Sequence, residues 1–96
     1  MARAQRYPLH LRILYRAAGR DGWQEGMLEN ISYSGVLFHA EDALELDTTV
    51  EMKFGLPLGD LEHAGAEVVC RGRIVRVRCG DLAAEITDYR FRPRQA

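Results

Sequence analysis

At 96 residues the chain has the size of a single domain, with material for a modest core and little room for an enclosed active site. Its 13 Lys and Arg nearly balance its 14 Asp and Glu, and no apolar run approaches the ~18 residues of a membrane span or resembles a secretory signal. The balance hides segregation: every Arg lies from Arg3 to Arg20 or from Arg71 to Arg94, while most carboxylates lie between Asp21 and Glu67. A fold that joins the two ends makes a basic face and suits an anionic partner.

The predicted elements are strands. Leu9, Leu11, Ile13 and Tyr15 alternate with His10, Arg12 and Arg16, apart from apolar Leu14, as a half-buried strand does. Gly19 to Gly22 is a turn. Trp23 to Ile31 is a second strand, in which Gly26 marks a bulge or a close backbone approach and Trp23 belongs to the core or the rim. The polar break Asn30-Ile31-Ser32-Tyr33-Ser34-Gly35 leads into a third strand, Val36 to His39. Glu41 to Asp47 is an acidic loop or one helical turn. Val50, Met52 and Phe54 alternate with Glu51, Lys53 and Gly55 in a fourth strand that Pro57-Leu58-Gly59-Asp60 ends. Glu67 to Arg78 is the longest strand, with a phase change near Ile74-Val75 that fits a bulge or bend. Arg78-Cys79-Gly80-Asp81 is a tight turn, Leu82 to Ile86 is the last strand, and Tyr89 to Ala96 is a tail. Six short strands with Gly-rich turns make an all-β domain, a small six-stranded antiparallel β-barrel whose closure removes exposed edges. A two-sheet sandwich is the alternative.

The chemistry on these elements is sparse. Cys70 and Cys79 lack a common metal-ligand spacing and read as free thiols on an intracellular strand and turn. His10, His39 and His63 form no cluster along the chain, so no metal site is expected, and His39 reads as a rim residue beside the polar break. Neither a nucleophile with its base nor a carboxylate pair stands out, so no enzyme activity is expected. Asn30 and Ser32 carry groups that bond to nearby backbone or to a ligand, and Gly35 permits φ > 0 or a close approach. A purely structural turn is the competing reading. Arg3 and Arg6 precede the first strand as a basic arm, and Arg12 and Arg16 point away from its core face. Arginine suits bidentate contact with phosphate or the guanine edge, and stacking on a base. Arg71, Arg73, Arg76 and Arg78 are either phosphate contacts or a solvated strand face, with Arg73 the auxiliary candidate among them. Nucleic acid is disfavoured as a partner by the acidic middle and the isolated Trp23.

Three features together resemble the PilZ domain family, over about Arg3 to Tyr89. They are a basic segment entering strand one through Tyr7-Pro8, the Asp/Asn-x-Ser-x-x-Gly pattern at Asn30, Ser32 and Gly35, and a long strand ending Gly72-Arg73-Ile74-Val75-Arg76-Val77 before a Gly turn. The resemblance implies one domain over residues 1–96, with a basic arm at 1–8, a barrel, and a tail at 89–96. It implies a bacterial, cytoplasmic, non-enzymatic module that binds the second messenger cyclic di-GMP and signals to a downstream protein, with no cofactor. Asn30, Ser32 and Gly35 carry over directly. Anchored on Tyr7-Pro8, the family's Arg-x-x-x-Arg positions fall on Gln5 and Leu9, leaving Arg3 and Arg6 as substitutes and Arg12, Arg16 and Arg73 as auxiliaries. Members without that pair serve as protein-interaction modules, so a ligand-independent adaptor is the alternative.

Overall fold

The computed structural model describes residues 7–56 and 66–93. Six strands appear in it: β1 (Tyr7–Ala17), β2 (Gln24–Ile31), β3 (Gly35–Ala40), β4 (Thr49–Leu56), β5 (Ala66–Arg78) and β6 (Asp81–Pro93). All pairings are antiparallel, and the order β1-β2-β3-β6-β5-β4 closes into a barrel through β1 and β4. The barrel predicted from the alternation is the one formed, and the sandwich is not.

Closure follows from the period of two. Ile13 and Tyr15 of β1, Leu28 of β2, Val36 and Phe38 of β3, and Val50, Met52 and Phe54 of β4 all turn inward and are buried. Val68, Cys70 and Ile74 of β5 with Leu82 and Ala84 of β6 complete the core. Tyr15 and Phe38 pack with ring centroids 5.1 Å apart. The Tyr15 hydroxyl reaches through to donate to the Asp42 carbonyl at 2.8 Å, so a polar tip is satisfied at the edge of an apolar core. Burial, above all, holds the Tyr15 phenol above its ordinary range and keeps it a donor.

Irregularities in the ladders sit where the sequence pattern breaks. The β5–β6 register shifts between Ile74 and Arg76, making Val75 the bulged residue at the predicted phase change. A second shift, at Arg71/Gly72, leaves Thr87 as the extra residue on β6, and its hydroxyl donates to the Arg71 carbonyl at 3.1 Å. This corrects the predicted end of the last strand. Tyr89 to Pro93, expected as part of a tail, continues β6 opposite Ala66 to Cys70. The Thr87 bulge shifts the alternation by one, which hid the continuation from a simple period-two reading. Gly26 marks a close approach, not a bulge: a Cβ there would stand 2.5 Å from the His39 carbonyl oxygen, while the β2 bulge lies one turn of the pleat later, at Glu29. Trp23 precedes β2 at the rim rather than in the core, with Arg16 and Lys53 over its ring at 4.1 and 4.6 Å.

The β5–β6 connection is the predicted tight turn, with Cys79 at φ 48° and Gly80 at φ 86°. Two successive positive φ values suit the right-handed twist of the strands it joins. Among the described residues, no helix is long and apolar enough to cross a membrane.

Candidate ligand site at the β2–β3 hairpin

The polar break is a two-residue hairpin loop. Ser32 N–H donates to the Gly35 carbonyl at 2.9 Å and Gly35 N–H returns the bond at 3.4 Å, leaving Tyr33 and Ser34 at the tip. Ser32 is buried and its hydroxyl turns into the loop, accepting from Ser34 N–H at 3.4 Å and lying 3.3 Å from Ser34 Oγ. Ile86 N–H, from β6, donates to the Ser34 carbonyl at 2.9 Å and ties the tip to the barrel wall. Ser32 therefore holds the loop's shape, and Ser34 stands closer to solvent.

Gly35 opens β3 opposite Glu85. It does not have a positive φ; a Cβ on it would stand 2.9 Å from the Ala84 carbonyl oxygen, so glycine is needed because the β6 backbone passes close by. Asn30 lies in β2 between Pro8 of β1 and Leu37 of β3, half-buried and engaged with its surroundings. The register places Tyr7 opposite Ile31, so the chain enters β1 directly beside the hairpin. Arg3, Arg6 and Gln5 lie outside the described residues; Leu9 falls within β1.

Two depressions flank the loop. One, of about 230 Å³, is apolar and lined by Ile31, Ser32, Tyr33, Val68, Ile86, Tyr89 and Phe91. Tyr89 and Phe91 meet edge-to-face at 5.6 Å and remain more than half exposed. They face the same side as Cys70 and Val68 but lie past the last β3 pairing, so no strand among the described residues covers them. The other, of about 320 Å³, is bounded by Ser34, Gly35, Val75, Arg76 and Glu85, with Ala83 and Ala84 at its floor. The small side chains make the hollow, and the Val75 bulge brings Arg76 to its edge.

The auxiliary arginines are engaged in ion pairs. Arg12 bonds Glu25 at 2.7 Å, Arg16 bonds Glu51 at 2.8 Å, and Arg73 bonds Asp47 at 2.6 Å with Glu85 at 3.6 Å. Arg16 is eight residues along β1 from Pro8, roughly 26 Å at about 3.3 Å per residue, so it does not reach the hairpin from its place. Arg76 makes no ion pair among the described residues and lies at the edge of the hollow, three residues along β5 from Arg73. Alternation alone cannot choose between them, because the bulge at Val75 decides which arginine faces the hollow.

His39 also departs from expectation. It sits four residues beyond Gly35 on β3, roughly 13 Å along the strand, and pairs with Asp81 beside the β5–β6 turn. Its Nδ1 is 3.1 Å from Asp81 Oδ1, and Glu29 joins the group from the β2 bulge. The interaction with Asp81, chiefly, pushes the Glu29 carboxyl above its ordinary range and holds Asp81 below it, because two carboxylates stand side by side. Pairing along the sheet assembles this group from residues that are distant in sequence.

The PilZ domain profile matches residues 2–95. The chain belongs to the PilZ domain family. No curated protein and no solved structure matches it significantly. The closed six-stranded antiparallel barrel is of the PilZ type, and the Asn30-x-Ser32-x-x-Gly35 segment forms the hairpin between the two depressions.

Proposed function

We propose that this PilZ domain is a non-enzymatic, cytoplasmic signalling module that binds cyclic di-GMP on the outside of the barrel. The ligand lies between the segment carrying Arg3 and Arg6 and the Asn30–Ser32–Gly35 hairpin. The observation that carries this reading is the placement of the hairpin beside the entry to β1, between an aromatic depression and a hollow edged by Arg76. Aromatic rings suit the purine faces, and arginine suits phosphate oxygens and the guanine edge. Asn30 contributes polar contacts, while Ser32 and Gly35 keep the loop in shape. Closure of the N-terminal segment over the ligand alters the surface offered to a downstream protein.

Calorimetric titration with cyclic di-GMP, with GTP as the control, tests this. Selective binding with a Kd near micromolar, a free energy of about −8 kcal/mol, supports it. Silence through high micromolar ligand overturns it. The second reading, a ligand-independent adaptor, is favoured by one observation: Gln5 and Leu9 occupy the positions of the family's arginine pair. Ligand-dependent chemical-shift changes at Asn30 and Ser32 would count against it.

A further inference from the structure

The outer face of β2, β3 and β6 gathers a mixed set of metal-ligating groups outside the hairpin. His39 pairs with Met27 on one side and with Asp81 on the other, and Glu29 is the extra residue of the adjoining β2 bulge. One ligand atom from each of Glu29, His39 and Asp81 lies within 4.8 Å of the other two. The His39 ring is seated on the β5–β6 turn: a Cβ at Gly80 would stand 2.8 Å from its Cε1, so the ring takes this position because residue 80 has no side chain.

We propose that Glu29, His39 and Asp81 bind one divalent cation of the zinc class.

The chemistry of the donor set favours this class. One imidazole and two carboxylates suit Zn²⁺ and its neighbours better than Mg²⁺ or Ca²⁺, which prefer all-oxygen shells. Zinc–nitrogen and zinc–oxygen bonds of about 2.0–2.2 Å require ligand atoms roughly 3.3–3.5 Å apart, so modest side-chain rotation closes this group on an ion. The strands that carry the three groups are already paired, so binding does not require the backbone to fold around the metal. Two carboxylates in contact repel unless something positive lies between them, and a divalent ion does this more strongly than a shared proton. The His39 and Asp81 side chains are 55% and 38% exposed, which leaves room for water as a remaining ligand and points to an exchangeable ion.

Metal-stripped full-length protein is titrated with zinc chloride against a competing zinc indicator in a non-chelating buffer. One ion per chain is expected below about 100 µM, undisturbed by excess Mg²⁺. Glu29→Gln and His39→Gln each weaken binding by about tenfold or more, whereas Cys79→Ser leaves it unchanged. In the wild-type protein, the ring signals of His39 shift on adding zinc and those of His63 do not, a readout that requires no variant to fold. Absence of stoichiometric binding, binding that survives both ligand substitutions, loss of binding in Cys79→Ser, or a shift confined to His63 would each overturn the proposal. None of these outcomes depends on whether cyclic di-GMP binds.

Discussion

The outer faces of the barrel differ in how they dispose of charge. On the face of β1, β4 and β5, ion pairs are made between neighbouring strands. Glu51 accepts from Arg16 at 2.8 Å and Arg71 at 3.1 Å, and Trp23 lies under Arg16 and Lys53. On the face of β2, β3 and β6, the Glu29 and Asp81 carboxylates stand together with His39, and small residues leave an open hollow that Arg76 of β5 edges. The first face satisfies itself; the second brings together groups whose charge is better satisfied by something that binds. The segregation of arginine and carboxylate along the chain therefore does not produce one basic face. Among the described residues, strand pairing neutralises Arg12, Arg16, Arg71, Arg73 and Arg92 and leaves Arg76 at the hollow beside the hairpin.

The largest expected effect separates packing from binding at the hairpin. Gly35→Ala pushes a Cβ against the Ala84 carbonyl, at 2.9 Å before relaxation. Overpacking of this kind costs about 1–3 kcal/mol, and each kcal/mol lowers Tm by about 4–8 °C in a domain this small. Thermal unfolding without ligand should show the loss. An unchanged Tm accompanied by lost ligand binding would instead make Gly35 a ligand-facing residue, and the account of its close approach to β6 would fail.

Next in size is a contrast between the two faces. Arg76→Ala should weaken cyclic di-GMP binding about tenfold, roughly 1.4 kcal/mol, while Arg16→Ala on the self-satisfied face leaves the affinity unchanged. Calorimetry on both variants decides it. Equal losses would mean that the ligand is attracted by overall charge and not held at the hollow.

The barrel was legible because its inward residues repeat with a period of two: Ile13 and Tyr15, then Val50, Met52 and Phe54, are each unbroken alternations. The hairpin was legible from small polar residues between two apolar runs. What escaped the sequence lies at the bulges. Thr87 shifts the phase of β6 and turns Tyr89 and Phe91 from an apparent tail into the wall of a depression. The Val75 bulge itself was legible as the phase change at Ile74-Val75, but not that it brings Arg76 to the hollow, and the Glu29 bulge behind the carboxylate pair gave no such sign. A bulge adds one residue without a strong composition signal, yet it reverses which side chains face each way. His39 was misplaced for a different reason. Nearness in sequence to the hairpin suggested nearness in space, but an extended strand carries a residue away at about 3.3 Å per step.

A smaller effect tests the claim of self-satisfaction directly. The hydrogen bonds from Arg16 and then Arg71 hold the Glu51 carboxyl below its ordinary value of about 4.3. A depressed folded value means that the stabilisation is present above the unfolded value and is lost as pH falls through the folded one. Glu51→Gln should therefore lower stability by about 1 kcal/mol or less at neutral pH, the partly exposed pair being screened, and the difference should vanish in acid. Denaturant titrations of both proteins at pH 7 and pH 3 measure it. A difference that persists at pH 3 would assign the loss to packing instead of charge.

The smallest effect concerns the two thiols, which lie at opposite extremes of exposure. Cys70 is buried in the core opposite Tyr89, and burial pushes its thiol up to about 12; Cys79 is exposed in the β5–β6 turn. At pH 8 an alkylating reagent should modify Cys79 rapidly in the native protein and reach Cys70 only when the barrel opens, because the thiolate is the reactive form. Modification of Cys79 should leave Tm within about 2 °C of its starting value, since an exposed turn side chain contributes little packing. The raised value at Cys70 also sets a limit in alkali. The native state holds that proton more tightly than the unfolded chain, so the contribution is complete below about 8.5 and declines as pH rises toward 12. Cys70→Ala removes this decline together with the side chain's packing. If native Cys70 reacts as fast as Cys79, then β5 and β6 separate without global unfolding, and the apolar depression beside Tyr89 and Phe91 is an opening of the barrel and not a fixed feature of its wall.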